Sequence, residues 1–385
     1  NEDTNIPLTG ISVADGDAGS GPVTVTLNVG SGTLNAAAGG GVTISGSGTG
    51  TLTLTGTLAN INAYLAATSP TFTPVADFNG PVTLTMTTND GGNSGTGGPL
   101  TDIDTRTITV VPVNDAPVLD LDASGAGTGY STSYTENGTG VAIVDTDSSV
   151  TDIDNANIAS ASIVIANGQA GDILAVNGTL PAGITATWNA ATFTLTLTGS
   201  ATKAAYETAL EQIRYSSSSD NPSTTPRSIN ISVNDGAANS NIAVATVNVV
   251  AVNDAPVNGL PAGYTVNEDA NLPLSGLSVA DPDANGGTMT ITLSVGSGTL
   301  AAANGAGVTV GGNGTGTLTL TGTLASINAY LASASAPSYR PVADFHGAVT
   351  LTMTSSDGAL SDTDTATITI NPVADIANDT VATNE

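Results

Sequence analysis

The sequence predicts an all-β protein built as three tandem Greek-key β-sandwiches set end to end, each with one short helix. Three observations carry that prediction. The chain writes long stretches of itself twice and a looser version once. Within each copy apolar residues alternate with polar ones at a period of two, as in half-buried antiparallel strands. Once per copy the period switches to that of a helix.

Self-comparison sets the organisation. Asn1-Glu2-Asp3 returns as Asn267-Glu268-Asp269, and Val13-Ala14-Asp15-Gly16-Asp17 returns as Val279-Ala280-Asp281-Pro282-Asp283. Ile61-Asn62-Ala63-Tyr64-Leu65 returns at 327–331, and Pro74-Val75-Ala76-Asp77-Phe78 at 341–345. The middle copy diverges but keeps the punctuation: Glu136-Asn137, Asp152-Ile153-Asp154 and Asn234-Asp235-Gly236. The repeats are expected at 1–115, 116–254 and 255–375, with 376–385 as the start of a further repeat. Asn1 opens in mid-motif, which predicts that the natural chain begins earlier.

Val23, Val25, Leu27 and Val29 illustrate the strand pattern, as do Val82, Leu84 and Met86. Six to eight such strands per repeat fit a Greek-key sandwich. Leu58, Ile61, Tyr64 and Leu65 lie at helical spacing, as do Tyr206, Ala209, Leu210 and Ile213. Short helices packed into the sandwich are therefore expected over 57–67, 323–333 and around 206–213. Each of the first two repeats ends in a strand-like run, through Ile108 and Val110 and through Ile242, Val244, Val247 and Val249. Asn114-Asp115-Ala116-Pro117 and Asn253-Asp254-Ala255-Pro256 then follow. The proline disfavours helix at the residue before it, giving a stiff extended connector.

Composition narrows the function. The 385 residues carry 33 acids against five bases, a net charge of −28. Such a surface repels nucleic acid and anionic membrane, and is suited to cations. No cysteine is present, which excludes disulfides, thiolate metal sites and cysteine catalysis. No apolar run reaches the length of a membrane span. The single histidine, His346, has Asn79 as its counterpart in the sister repeat, and no nucleophile, base and orienter recur together. A non-enzymatic protein is expected.

The acids recur at fixed places. In a sandwich of this type, strand ends alternate between two poles. Glu2 and Glu136 belong at one pole with Asp77 and Asp220, and the Asp-x-Asp pairs belong at the other with the late hairpin acids. Stacking repeats then gathers Glu2, Asp77, Asn114, Asp115, Asp152, Asp154 and Asp235 at the first junction. The second gathers Glu136, Asp220, Asn253, Asp254, Asp281, Asp283 and Asp357. Two like charges about 4 Å apart cost about 4 kcal/mol at an effective dielectric of about 20. Calcium, which takes six to eight hard oxygens at flexible geometry, relieves that repulsion, whereas magnesium keeps its waters and transition metals want the missing His or Cys clusters. Asp102-x-Asp104 and Asp362-x-Asp364 have no middle-repeat counterpart and are extra candidates only.

These motifs resemble cadherin repeats, through Glu136-Asn137, Asp152-x-Asp154, Asn234-Asp235-Gly236 and Asn253-Asp254-Ala255-Pro256. With Tyr206 to Leu210, Arg214-Tyr215, Ser219-Asp220-Asn221-Pro222 and Tyr339-Arg340-Pro341, the chain is similar to cadherin-like tandem repeats of large bacterial surface and type I secreted adhesin-like proteins. The resemblance implies cadherin-like or Ig-like sandwiches, Ca2+ at the junctions, and an extracellular, cell-surface location. It also implies a role in adhesion, or as a calcium-stiffened stalk or rod. Its partners would be neighbouring repeats or identical chains and a host or cell-surface ligand, without nucleic acid and without membrane insertion. Two departures stand out: Ala-Asp-Phe replaces the family's Asp-Arg-Glu, and the last linker, Pro372-Val373-Ala374-Asp375, lacks the Asn. The alternative is a structural subunit of an extracellular filament or surface coat, assembling through calcium junctions or strand donation.

Overall fold

A computed structural model describes residues 1–92, 97–334 and 336–374. Asp375 and the segment 376–385, expected to open a further repeat, lie outside the described residues. By contact density the chain forms two compact units. The first comprises Asn1–Val118, Val150–Ala159 and Val233–Asn241; the second comprises Leu119–Ser149, Ser160–Ser232 and Ile242–Glu385.

In the first unit two sheets face each other. The larger runs Thr43–Ser45, Thr51–Thr57, Pro22–Val29, Gly80–Asn89, Thr101–Val110; the smaller runs Ile6–Pro7, Thr71–Thr73, Thr33–Asn35. The period-two residues do what their spacing requires. Val23, Val25, Leu27 and Val29 are buried, while the alternating threonines lean outward. Helix α1, Leu58–Ala67, closes the core with Ile61, Tyr64 and Leu65. It begins because the Thr57 side chain accepts the Asn60 N–H, an N-cap interaction.

The second unit ends in a sandwich of the same plan. Its larger sheet runs Gly263–Asn267, Ser361–Asn371, Gly347–Ser356, Thr288–Val295, Thr317–Thr323, Thr309–Gly311, and the smaller runs Leu272–Pro273, Ser338–Arg340, Thr299–Ala301. Helix α3, Leu324–Leu331, takes the place of α1 and is capped by Thr323. The near-identical text thus folds in near-identical registers: Thr24↔Thr55 answers to Thr290↔Thr321. Before it in the chain come the parallel pair Tyr130–Thr135 with Ala243–Val250, the three-stranded sheet Val141–Ala142, Ile213–Ser217, Asp172–Val176, and helix α2, Lys203–Glu211, capped by Thr202.

Several expectations need correction. The helices are slightly shorter than 57–67 and 323–333: Thr57 and Thr323 act as N-caps outside them, and the second ends at Leu331 with Ala332 as its C-cap. Ile213 is buried but opens a strand; α2 has already ended at Glu211. Of the run Ile242, Val244, Val247 and Val249, only Val247 and Val249 face inward; Ala243 and Ala245 take the inner positions before them, and Ile242 is 63% exposed. Finally, the ladders are not all antiparallel, since Tyr130–Thr135 and Gly263–Asn267 pair parallel to the last strand of their sheets.

Candidate metal centre

The expected first-junction residues lie within the first unit and converge on the linker. The linker is fixed from below by Glu2, which is 1% exposed. Its Oε1 accepts the Val113 N–H at 2.6 Å, and its own N–H bonds to Val111 O at 3.0 Å. From above, the Asp115 N–H donates to Asp154 Oδ2 at 2.6 Å, and Asn114 Nδ2 donates to Asp235 Oδ2 at 2.8 Å. Asp152 Oδ1 accepts the N–H groups of Asp154 and Asn155, so the Asp-x-Asp turn is shaped by its own first carboxylate. Pro117 is buried and anchors the far end of the connector.

Glu2, Asp115 and Asp154 bring one carboxylate oxygen each within 4.8 Å of one another, and Asp3, Asp77 and Asp115 do the same. Asp3 was not among the expected ligands. It adopts φ 59°, as does Asp77, and accepts the Asp77 N–H at 3.2 Å. Clefts of about 420 and 410 Å³ open beside Asp77 and Ile153, the first bounded by Asn114 and Asp154, the second by Asp115 and Asp152.

In the second unit the pattern recurs. Glu136, 3% exposed, accepts the Val252 N–H at 2.8 Å through Oε2. The Asp254 N–H donates to Asp283 Oδ2 at 3.1 Å, and Asn253 Nδ2 donates to Asp357 Oδ2 at 2.6 Å. Asp281 Oδ1 accepts the Asp283 N–H at 3.2 Å. The helix fixes this loop: Asn328 of α3 accepts the Val279 N–H and donates to Val279 O, two residues before Asp281. Asn62 of α1 clips Val13 in the same way. Asp220 is exposed, and it is its neighbour Asn221 that reaches the Asp281–Asp283 turn, donating to Pro282 O at 3.0 Å. Glu268, another residue missing from the expected set, accepts the Val373 N–H at 2.6 Å.

Glu2, Glu136 and Asp281 each give one side-chain oxygen to a backbone N–H, while their second oxygens, Glu2 Oε2, Glu136 Oε1 and Asp281 Oδ2, are buried without a hydrogen bond. Asp115 Oδ2 and Asp254 Oδ2 are buried in the same state. Burial first, then repulsion from Asp154, Asp77, Asp3 and Glu2, holds the Asp115 carboxyl above the usual range. Asp281 is likewise pushed up, first by burial and then by its contact with Asp283. Asp235 moves the other way. Burial opposes ionisation there, but the N–H groups of Ala238 and Ala237 and the Asn114 amide outweigh it. Asp357 is lowered first by the Asn253 amide, then by the N–H groups of Leu360 and Ala359. The donor set is all oxygen, from carboxylates, amides and backbone, which suits a hard divalent cation.

A third acid group, Asp122, Asp145 and Asp147, lies in the second unit. Its oxygens are used locally: Asp122 Oδ1 accepts from Ser124 Oγ and the Gly125 N–H, and Asp147 Oδ2 from the Ser124 N–H. Asp362 is also structural, accepting the Asn258 N–H at 2.9 Å. Among the described residues no helix is long and apolar enough to cross a membrane.

No family model matches the sequence, and no curated protein matches it. Among solved structures the chain is similar to mouse Cadherin-23 EC22-24, at 16% identity, covering 95% of this chain and 93% of that one, TM-score 0.36. It is similar to Drosophila N-cadherin EC1-4, at 12% identity, covering 95% and 70%, TM-score 0.26. An endo-fucoidan hydrolase of glycoside hydrolase family 107 aligns at 16% identity over 95% of this chain but 44% of its own, TM-score 0.17. The fold class is that of the sheets themselves: tandem β-sandwiches.

Proposed function

We propose that this chain is an extracellular, calcium-binding array of three sandwich repeats, 1–115, 116–254 and 255–375, that acts in surface adhesion or as a stalk. The observation that carries this reading is the state of Glu2 and Glu136. Each is almost wholly buried, each gives one oxygen to a linker N–H, and each keeps the other oxygen buried with no hydrogen bond. An uncompensated buried carboxylate is expensive, and a bound cation removes that cost. Glu2, Asp77, Asn114, Asp115, Asp152, Asp154 and Asp235 would hold it at one junction. Glu136, Asp220, Asn253, Asp254, Asp281, Asp283 and Asp357 would hold it at the other. When bound, calcium supplies positive charge shared by both repeats and their connector. The chain's own residues orient the connector, through the Glu carboxylates below it and the Asn amides and Asp oxygens above. The array binds rather than catalyses.

Calorimetric titration of the calcium-depleted chain tests this. The expected dissociation constants are about 10⁻⁴–10⁻³ M, as in extracellular modules. At a hundredfold excess, binding to the ordered state alone stabilises it by about 2.7 kcal/mol. No binding heat and no rise in thermal stability with calcium would overturn the reading.

A further inference from the structure

A buried ion pair lies within the second unit, away from the acid groups. Arg227 Nε and Asp172 Oδ2 are 2.6 Å apart, with both side chains almost completely buried. The carboxylate is fully engaged: Tyr215 OH donates to Oδ1 at 2.6 Å and the Gln169 N–H to Oδ2 at 2.7 Å. The other arm of the guanidinium turns toward a loop. Nη1 donates to Ser223 O at 3.2 Å and to Thr225 O. A buried pair of this kind contributes little net stability against an apolar replacement, but it fixes geometry. Here what it fixes is the segment 218–226.

That segment holds Asn221 on both sides. The Asn221 N–H donates to Ser219 Oγ at 3.2 Å, and Pro222 behind it is buried and restricts its backbone. The Asn221 amide then reaches the Asp281–Asp283 turn, donating to Pro282 O at 3.0 Å and to Asn285 Oδ1 at 3.2 Å. Neither contact involves a charge or a cation. In the first unit the corresponding loop turns back on its own repeat, with the Asp77 N–H donating to Asp3 Oδ1.

We infer that Arg227 is a positioning residue for Asn221, and that Asn221 holds the Asp281–Asp283 turn in place without calcium. The second junction then keeps its upper turn ordered when calcium is withdrawn. The inference uses the calcium reading only for the role of Asp281 and Asp283; the contact itself is cation-free.

Amide exchange on the full chain, in calcium-depleted buffer and in calcium, tests it. In calcium-depleted buffer, Asn221→Ala and Asn221→Asp should speed exchange of 281–287 about three- to tenfold, the range set by one or two net hydrogen bonds. Peptides covering 150–159 should not change. Arg227→Lys keeps a positive charge for Asp172 but lacks the second nitrogen arm, so it should release 281–287 while the strand Arg227–Asn234 stays protected. Should that variant unfold the sandwich, Asp172→Asn, which loosens the hold on the guanidinium, reads the same peptide. Wild-type exchange of 281–287 in both Asn221 variants overturns the contact. Faster exchange in those variants but not in Arg227→Lys or Asp172→Asn overturns the role of Arg227. If calcium slows neither 281–287 nor 150–159 in the unmodified chain, the calcium reading fails, while the Asn221 variants still decide this one.

Discussion

Glu2 Oε1 accepts the backbone N–H of Val113 at 2.6 Å across 111 residues of sequence. The same bond is made by Glu136 to Val252 and by Glu268 to Val373. Glu136 and Glu268 directly follow the strands Tyr130–Thr135 and Gly263–Asn267, and the N–H belongs to the chain just past the last strand with which each of these pairs. One carboxylate thus ties entry to exit; the second oxygen of Glu2 and of Glu136 is buried without a hydrogen bond, and that of Glu268 lies 3.9 Å from His346 Nδ1.

Glu136→Gln separates those two roles. The amide keeps an acceptor for Val252 and removes the buried charge. The calcium-free chain should gain about 1–2 kcal/mol, because an uncompensated buried charge has gone. Calcium affinity at that junction should fall at least tenfold. Denaturant unfolding with and without calcium checks both signs. A large loss of stability in calcium-free buffer would mean that the charge is satisfied by protein groups.

Asp152→Asn with Asp154→Asn should remove calcium binding at the first junction and leave the second intact. The turn persists, because Asn Oδ1 can still accept the N–H groups that Asp152 Oδ1 accepts. Calorimetry should show part of the calcium heat lost, with the remainder at unchanged affinity. A full complement of binding in the double variant counts against the first group as a site.

The pH response follows from Asp115 and Asp281, both raised above the ordinary aspartate value of 3.8. A carboxyl raised in the folded state contributes stability that is fully present below the unfolded value and is lost as pH rises through the folded one. Calcium requires the ionised form, so its contribution grows over the same window. The stability gap between loaded and calcium-depleted chain should therefore widen as pH rises through the raised values of Asp115 and Asp281. Asp235 and Asp357, lowered by their hydrogen bonds, stabilise above 3.8 and lose that contribution as pH falls through their lowered values. Thermal scans at several pH values, with and without calcium, read the gap.

Tyr339→Phe should stabilise the last sandwich by about 1 kcal/mol. Its hydroxyl is buried without a hydrogen bond, a costly state for a polar group. The sister repeat has Phe72 in the same place, between Ile6 and Leu34 as Tyr339 lies between Leu272 and Leu300. An unchanged or lower calorimetric transition would show that the hydroxyl has a partner in solution.

The sandwiches and their helices were legible because period and repetition are direct consequences of burial. The errors fell where burial is carried by small residues. Ala243 and Ala245 form the inner face at the start of the strand Ala243–Val250, while Val244 and the preceding Ile242 lie outward, and hydropathy alone favours the larger ones. Threonine capping was missed because Thr57 reads as one more strand residue. At the candidate metal centre recurrence marks the linker, Asp-x-Asp and hairpin acids as a group. Asn155, Asn62 and Asn328 carry no charge to mark them as residues that clip its loops. Asn221 was passed over for its acidic neighbour for the same reason. Arg227 and Asp172 stand 55 residues apart and occur once, so no pattern pointed to them.

The parallel pairing of Tyr130–Thr135 with Ala243–Val250 has a mechanical consequence. When two strands run parallel, tension applied at the start of one and the end of the other slides them along each other. The rungs from Tyr130↔Ala245 to Thr135↔Val250 are then loaded together rather than opened one at a time. Gly263–Asn267 and Ser361–Asn371 form the same arrangement with one rung fewer, Gly263↔Thr367 to Asn267↔Asn371. A chain pulled along its length meets these paired strands as brakes, and the first of them in the chain is the longer.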